Sequence, residues 1–179
     1  MAARKKTVLR TVRLPKELDE LLEKDPEAKR TSVNALLLGL MTRYAEWDRF
    51  AEKYGLISLT RHGFRSLLEA AEDDKLYAVS RELGGHRAHE TILFWYGKVN
   101  LETFLAYLRT FSRYGGLAEI EIETDGVHYT IRGHHELGER WSKVLENFMA
   151  EAFRTTLKIQ PKFEATRNAL IVRFDTLGR

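Results

Sequence analysis

The stretch that decides the fold begins at residue 7 and reads TVLRTVRLPKELDELLEK as far as residue 24. Its apolar residues at positions 8, 12 and 14 alternate with Thr11 and Arg13, which is the two-residue period of a half-buried strand. Pro15 has a fixed φ and no N–H, so it suits the first turn of a helix. The stretch therefore predicts a short strand followed by a short amphipathic helix over residues 16–24.

A second stretch, TSVNALLLGLMTRY at residues 31–44, predicts a longer helix. Asp25 precedes a proline and so avoids helical geometry, while Thr31 and Ser32 offer an N-cap. Apolar residues then recur at three- and four-residue steps until Gly55 ends the helix. One strand and two helices are too few to enclose a core, so we expect this segment to form one with a second copy of the chain.

The order of these signals resembles the ribbon-helix-helix family of DNA-binding proteins, the Arc and MetJ type. The residues that carry the resemblance are RTVRLPKELDELL (10–22) and TSVNALLLGLMTRY (31–44), within a first domain over residues 1–54. The resemblance implies a homodimer in which one strand from each copy forms an antiparallel ribbon in the major groove of double-stranded DNA. In this family, dimers often pair into tetramers on DNA.

Carried over residue by residue, the resemblance places base-reading side chains at Leu9, Thr11 and Arg13. Arg13 suits a bidentate contact to guanine, whereas Leu9 departs from the polar residue expected there. The helix that begins after Thr31 and Ser32 would hold phosphate on its N-terminal N–H groups. Some further phosphate contacts are predicted from basic charge alone. The residues predicted to contact phosphate are Arg4, Lys5, Lys6, Arg30, Thr31, Ser32 and Val33.

The charge is unevenly distributed along the chain, although the net charge is only +3. Residues 1–54 hold 12 Lys and Arg against 9 Asp and Glu, whereas residues 55–179 hold 17 of each. The first 14 residues contain five basic side chains and no acid, as expected of an arm that lies against polyphosphate.

Cysteine is absent, which excludes disulfides, thiolate catalysis and iron–sulfur clusters. The chain shows no apolar run of about 20 residues and no signal peptide. We therefore expect a cytoplasmic, nucleoid-associated protein without membrane contact.

The remaining residues, 55–179, predict an α+β domain with an antiparallel sheet and the element order β-α-α-α-α-β-β-α-β-β. The first strand is predicted at residues 56–59. Thr60 and Asn100 are expected to cap helices, and Asp125-Gly126 predicts a two-residue hairpin turn that pairs Ile122 with Tyr129. The fold class is thus α+β, with a ribbon-helix-helix module in front.

Two features of the second domain leave its role open. His86 and His89 are three residues apart, and Glu90, His128, His134 and His135 offer further metal ligands, but the spacing matches no known signature, so exposed polar residues are the simpler reading. Seven aromatic residues lie between positions 94 and 114. They indicate either a core or dimer surface, or a pocket for a small apolar effector.

No catalytic motif, P-loop or dinucleotide fingerprint is present, so we expect neither an enzyme nor a bound cofactor. The function indicated is a dimeric, sequence-specific DNA-binding transcriptional regulator whose second domain supports oligomerisation or senses a signal. Two alternatives stay open. One is an antitoxin-type autoregulator, and the other is an interaction protein that uses the ribbon only to dimerise.

Overall fold

The structure is a computed structural model that describes residues 7–24 and 31–176. The chain divides into two compact units, one ending at Arg49 and the other beginning at Phe50. Phe50 and Tyr54, which the sequence groups with the first domain, belong to the second unit, where their rings contact those of Phe94 and Trp95.

The helices of the first unit are the two that the sequence predicts. Helix α1 spans Lys16–Lys24, and the Pro15 carbonyl accepts the N–H groups of its first turn. Helix α2 spans Val33–Arg43, and Ser32 caps it by accepting the Ala35 N–H at 3.2 Å. A π-helical turn at Tyr44–Asp48 connects α2 to helix α3, Arg49–Tyr54. Neither α1 nor α2 contains a buried residue.

The predicted N-terminal strand is not formed in the single chain, because residues 7–15 lie in no helix and no strand. A strand is defined by hydrogen bonds to a neighbour. The resemblance assigns that neighbour to a second copy of the chain. The ribbon therefore stays a prediction.

The helices of the second unit begin and end close to the predicted signals. The Thr60 hydroxyl accepts the Gly63 N–H, Asn100 and Thr103 form a reciprocal capping box, and Gly97 ends its helix in the left-handed conformation at φ +70°. These helices are α4 (Arg61–Ala70), α5 (Asp73–Glu82), α6 (Ala88–Tyr96), α7 (Leu101–Gly115) and α8 (Glu139–Ala152). Two π-helical turns, Leu83–Arg87 and Phe153–Leu157, follow α5 and α8.

An antiparallel four-stranded sheet completes the second unit and confirms the α+β class. Its order is β1-β2-β4-β3, with bounds β1 (Glu119–Thr124), β2 (His128–His134), β3 (Lys162–Ala165) and β4 (Ala169–Asp175). The strand predicted at residues 56–59 is wrong, because these residues lie outside the sheet, and the Leu56 N–H instead bonds to the Ala51 carbonyl at the end of α3.

The β1–β2 hairpin forms as predicted, but its register is shifted by two residues. Ile122 lies opposite Ile131 instead of Tyr129. The cause is the Asp125 carboxylate, which accepts the N–H groups of both Val127 and His128 and so makes the loop longer than a two-residue turn. A shift of two leaves every side chain on its predicted face of the sheet, because the side-chain period is also two.

The core of the second unit lies between the sheet and the helices. Helix α8 contacts β3 and β4 as well as α5. The Phe153 ring packs edge-on against the rings of Phe104 and Phe174, with 4.9 Å and 4.8 Å between the ring centroids. Gly84 allows its turn to touch α8, since a Cβ there would lie 2.0 Å from the Phe148 carbonyl oxygen. None of the helices in the described ranges combines the length and the apolar character needed to cross a membrane.

Candidate nucleic-acid interface

The three predicted base-reading residues are open to solvent. Leu9 is 91% exposed, and Thr11 and Arg13 are also exposed. Arg13 makes no hydrogen bond or ion pair with any residue that the structure describes, so its guanidinium fork is available to a ligand. This exposure is what a groove-reading strand requires, because its side chains must reach base edges.

The predicted phosphate contacts fall into two groups. Arg4, Lys5, Lys6 and Arg30 lie outside the described residues. Thr31, Ser32 and Val33 lie together at the start of α2, where Thr31 and Ser32 are exposed and Val33 is half-buried. The N-terminal N–H groups of a helix and its dipole favour an anion, so these three residues present a surface that suits phosphate.

The first unit also exposes many apolar side chains that a soluble chain normally buries. Leu21 is 66% exposed, although it is an apolar residue of α1, a helix that the sequence predicts to be amphipathic. Other apolar side chains in the strand segment and on both helices are also exposed, namely Val8, Val12, Leu18, Leu38, Leu40 and Met41. Exposure of this many large apolar side chains in a short segment is typical of an interaction surface.

Comparisons with protein-family models and with curated proteins find no match. The likeness to the ribbon-helix-helix family therefore depends on the residues quoted above, and it stays a prediction.

The histidines of the second unit do not assemble into a metal site. Within the described residues, no group of three or more His, Asp or Glu side chains is placed to hold an ion. His86 instead pairs with Glu90 one helical turn later, with 3.1 Å between Nε2 and Oε1.

A buried histidine and serine are in contact, but their hydrogen bonds are those of a structural brace. His135 Nε2 lies 2.9 Å from the Ser142 hydroxyl, and His135 Nδ1 accepts the Leu137 N–H. Since Nδ1 accepts, Nε2 carries the proton and donates to Ser142, which in turn donates to the Thr166 carbonyl at 2.5 Å. The Ser142 hydroxyl is thus engaged as a donor and buried, unlike a nucleophile that awaits a substrate.

The acidic row of the hairpin forms exposed ion pairs. Glu123 bonds to Arg132 at 2.7 Å, which is a diagonal contact across the hairpin. At the hairpin tip, the Asp125 carboxylate contacts the His128 ring at 2.9 Å. The hydrogen bonds from His128 hold the pKa of Asp125 below its ordinary value, and the same contact raises the pKa of His128. The carboxylates of these pairs are exposed to solvent.

The aromatic segment between residues 94 and 114 divides among three environments. Phe104 is fully buried in the core, and Phe94 is about half exposed. Tyr107 and Phe111 line a cavity of about 550 Å³ inside the second unit. Sequence reasoning does not find the other walls of this cavity, which come from segments as distant as Leu56 and Phe148, because no local spacing brings such residues together.

Proposed function

We propose that this protein is a dimeric, sequence-specific DNA-binding regulator. In this proposal, residues 7–14 of two copies pair as an antiparallel ribbon that enters the major groove. Thr11 and Arg13 read base edges, and the start of α2 holds a backbone phosphate on each side.

The observation that carries the proposal is the absence of any buried residue in α1 and α2. Nine- and eleven-residue helices are marginal in water on their own, so packing of an apolar face must supply their stability. The exposed apolar side chains of the two helices, among them Leu18, Leu21 and Leu40, offer such packing to a second copy. A strand that precedes the helices gains its hydrogen-bonding partner in the same step.

Charge and exposure support DNA as the ligand. The five basic residues of positions 1–14 have no acidic neighbour in that segment, so the ribbon and its arm would carry ten positive charges per dimer. Arg13 is exposed and not engaged by any described residue. Binding of these positive charges to a phosphate backbone would release condensed counterions, which favours association.

The dimer is tested by sedimentation at micromolar concentration with a pair of matched variants. Leu21→Asp places a charge on the proposed dimer face and is expected to yield a monomer. Ile57→Asp changes an apolar residue that is 82% exposed in the second unit, and it is expected to leave the dimer unchanged. A wild-type chain that stays monomeric, or a dimer that Leu21→Asp leaves intact, would contradict the proposal.

The DNA contacts are tested by selecting bound sequences from a random duplex library at a stated salt concentration. Arg13→Ala is expected to weaken the selected site by about 1–3 kcal/mol and to relax preference at one base pair. Lys5→Ala is expected to weaken all sequences alike and to reduce the salt slope by about one. Indistinguishable behaviour of the two variants would remove the groove-reading role.

An interaction protein that uses the ribbon only to dimerise is the competing possibility, and deletion of residues 1–14 separates the two. The DNA-binding proposal expects loss of DNA binding with the second unit still folded. Retention of sequence-specific binding by the deletion variant would contradict it.

A further inference from the structure

The second unit contains a cavity of about 550 Å³, and each of the helices α4 to α8 contributes to its walls. This volume lies in the range of about 300–1,000 Å³ typical of small-molecule sites. Its lining is almost entirely hydrocarbon, and Arg87 is the one charged side chain among the described lining residues. Apolar contributors include Leu56, Phe64, Leu76, Leu108, Phe111 and Val144.

The cavity opens to the surface through apolar side chains of α4 and α5. Leu67 lines it and is nevertheless 61% exposed, and Val79 and Leu83 are about half exposed. Apolar surface of this extent around a concavity marks a binding site on a soluble protein. An apolar ligand entering here would cover these side chains as well as fill the interior.

The polar groups in the lining are already engaged, with one exception. Ser80 donates to the Tyr77 carbonyl, and Ser112 accepts the Ile120 N–H. Thr91 bonds to both the Arg87 carbonyl and the Tyr54 hydroxyl. Arg87 pairs with Glu90 at 3.4 Å.

Tyr107 is the exception. Its side chain lies on the cavity wall and is only 6% exposed, yet its hydroxyl makes no hydrogen bond with any residue that the structure describes. Since no described protein group bonds to this hydroxyl, it is open to a hydrogen bond with a ligand that enters the cavity. The pKa of Tyr107 is raised above its ordinary value, mainly by burial and to a smaller extent by the nearby Tyr54 and Tyr96 phenols. The hydroxyl therefore keeps its proton and is able to donate a hydrogen bond.

We propose that this cavity binds a neutral, largely hydrocarbon small molecule that carries a single hydrogen-bonding oxygen, such as a long-chain alcohol or ketone. The hydrocarbon fills the apolar interior, and the oxygen accepts the Tyr107 hydroxyl. A neutral ligand is favoured over a carboxylate, because the one lining cation is already paired with Glu90. This site does not depend on the proposed DNA-binding function.

The test uses the full-length chain and the fluorescent ketone 6-propionyl-2-(dimethylamino)naphthalene as the probe. It is neutral, mostly aromatic hydrocarbon, and has one carbonyl acceptor. Its emission shifts to the blue in apolar surroundings and back to the red when its carbonyl is hydrogen-bonded. We expect saturable binding of one probe per chain with a blue-shifted emission.

Three variants separate the cavity from other apolar surface. Tyr107→Phe is expected to weaken binding about 3- to 10-fold and to move the bound emission further to the blue, since the carbonyl loses its donor. Leu67→Asp places a charge at the cavity wall and is expected to weaken binding on the order of tenfold or more. Ile57→Asp, at an exposed apolar residue outside the cavity lining, is expected to leave binding unchanged.

Several results would overturn the proposal. These are the absence of saturable binding, equal losses in Leu67→Asp and Ile57→Asp, or a bound emission in Tyr107→Phe identical to that of the wild type. A change of oligomeric state in Leu67→Asp alone would assign the opening to a protein contact, which also contradicts a small-molecule site. If Tyr107→Phe fails to fold, the two surface variants still decide the matter.

Discussion

Arg140 at the start of α8 is expected to hold the end of α4 in place, and its contribution can be worked out from its contacts. Its guanidinium donates to the carbonyl oxygens of Leu68 at 2.7 Å, Glu69 at 3.0 Å and Ala71 at 2.5 Å. The last carbonyls of a helix lack partners within the helix. A second contact joins Arg140 to the Asp73 carboxylate at 2.6 Å.

The two kinds of contact differ in expected magnitude. A hydrogen bond from a charged donor contributes about 1.5–3 kcal/mol, but exposed carbonyls such as that of Glu69 regain water when the donor is removed. We therefore expect Arg140→Met, which keeps the aliphatic stem, to lower the free energy of unfolding by about 2–4 kcal/mol. The Asp73 side chain is 60% exposed, so Asp73→Asn should cost no more than about 1 kcal/mol.

The measurement is urea unfolding of the full chain followed by tryptophan fluorescence, in which Trp95 and Trp141 report on the second unit. Both variants are compared with the wild type at equal protein concentration, because a dimer would make stability depend on concentration. Equal losses in Arg140→Met and Asp73→Asn would refute the reasoning, since the ion pair and not the helix end would then carry the energy. A loss below about 0.5 kcal/mol in Arg140→Met would refute it as well.

Two further predictions concern packing and pH. Gly84→Ala should destabilise the protein by about 1–3 kcal/mol or more, because the added Cβ meets the Phe148 carbonyl. Gly39→Ala, with open space around it on α2, should instead stabilise by about 0.5–1 kcal/mol, and urea unfolding followed by circular dichroism measures both changes. The pKa of His135 is lowered, mainly by burial and to a smaller extent by the neighbouring His134. Because the unfolded chain has the ordinary, higher pKa, His135 takes up a proton when the protein unfolds at mildly acidic pH. The stability that the neutral His135 contributes is fully present above about pH 6.5 and is lost as the pH falls. The free energy of unfolding should therefore decline more steeply below about pH 6.5 in the wild type than in His135→Gln. Parallel pH curves for the two proteins would contradict this assignment.

Local signals in the sequence predict the helices well. Thr60, Asn100 and Gly97 mark helix ends through hydrogen bonds and backbone conformations that involve only a few neighbouring residues. The sheet class follows from the alternation of residues in β1 and β2. Its register does not, because the Asp125 side chain competes for the N–H groups that would otherwise close a shorter turn.

The candidate sites show a similar division. The exposure of Thr11 and Arg13 is foreseeable from alternation and charge, whereas the proposed ribbon would need two chains and cannot be read from one. The aromatic residues Tyr107 and Phe111 are recognisable as possible pocket residues. The cavity itself depends on how separate helices meet, and its open mouth at Leu67 and Val79 contradicts the simple expectation that an apolar helix stripe is buried.

The lack of buried side chains in α1 has a consequence for how this protein behaves at low abundance. A nine-residue helix without a fully buried side chain gains little packing energy from its own chain, so we expect it to depend on a partner that covers it. Its backbone amides should therefore exchange with solvent quickly on dilution, while those of α8 stay protected. The amount of protein present would then set how much of the N-terminal unit is ordered at any moment, independently of any bound molecule.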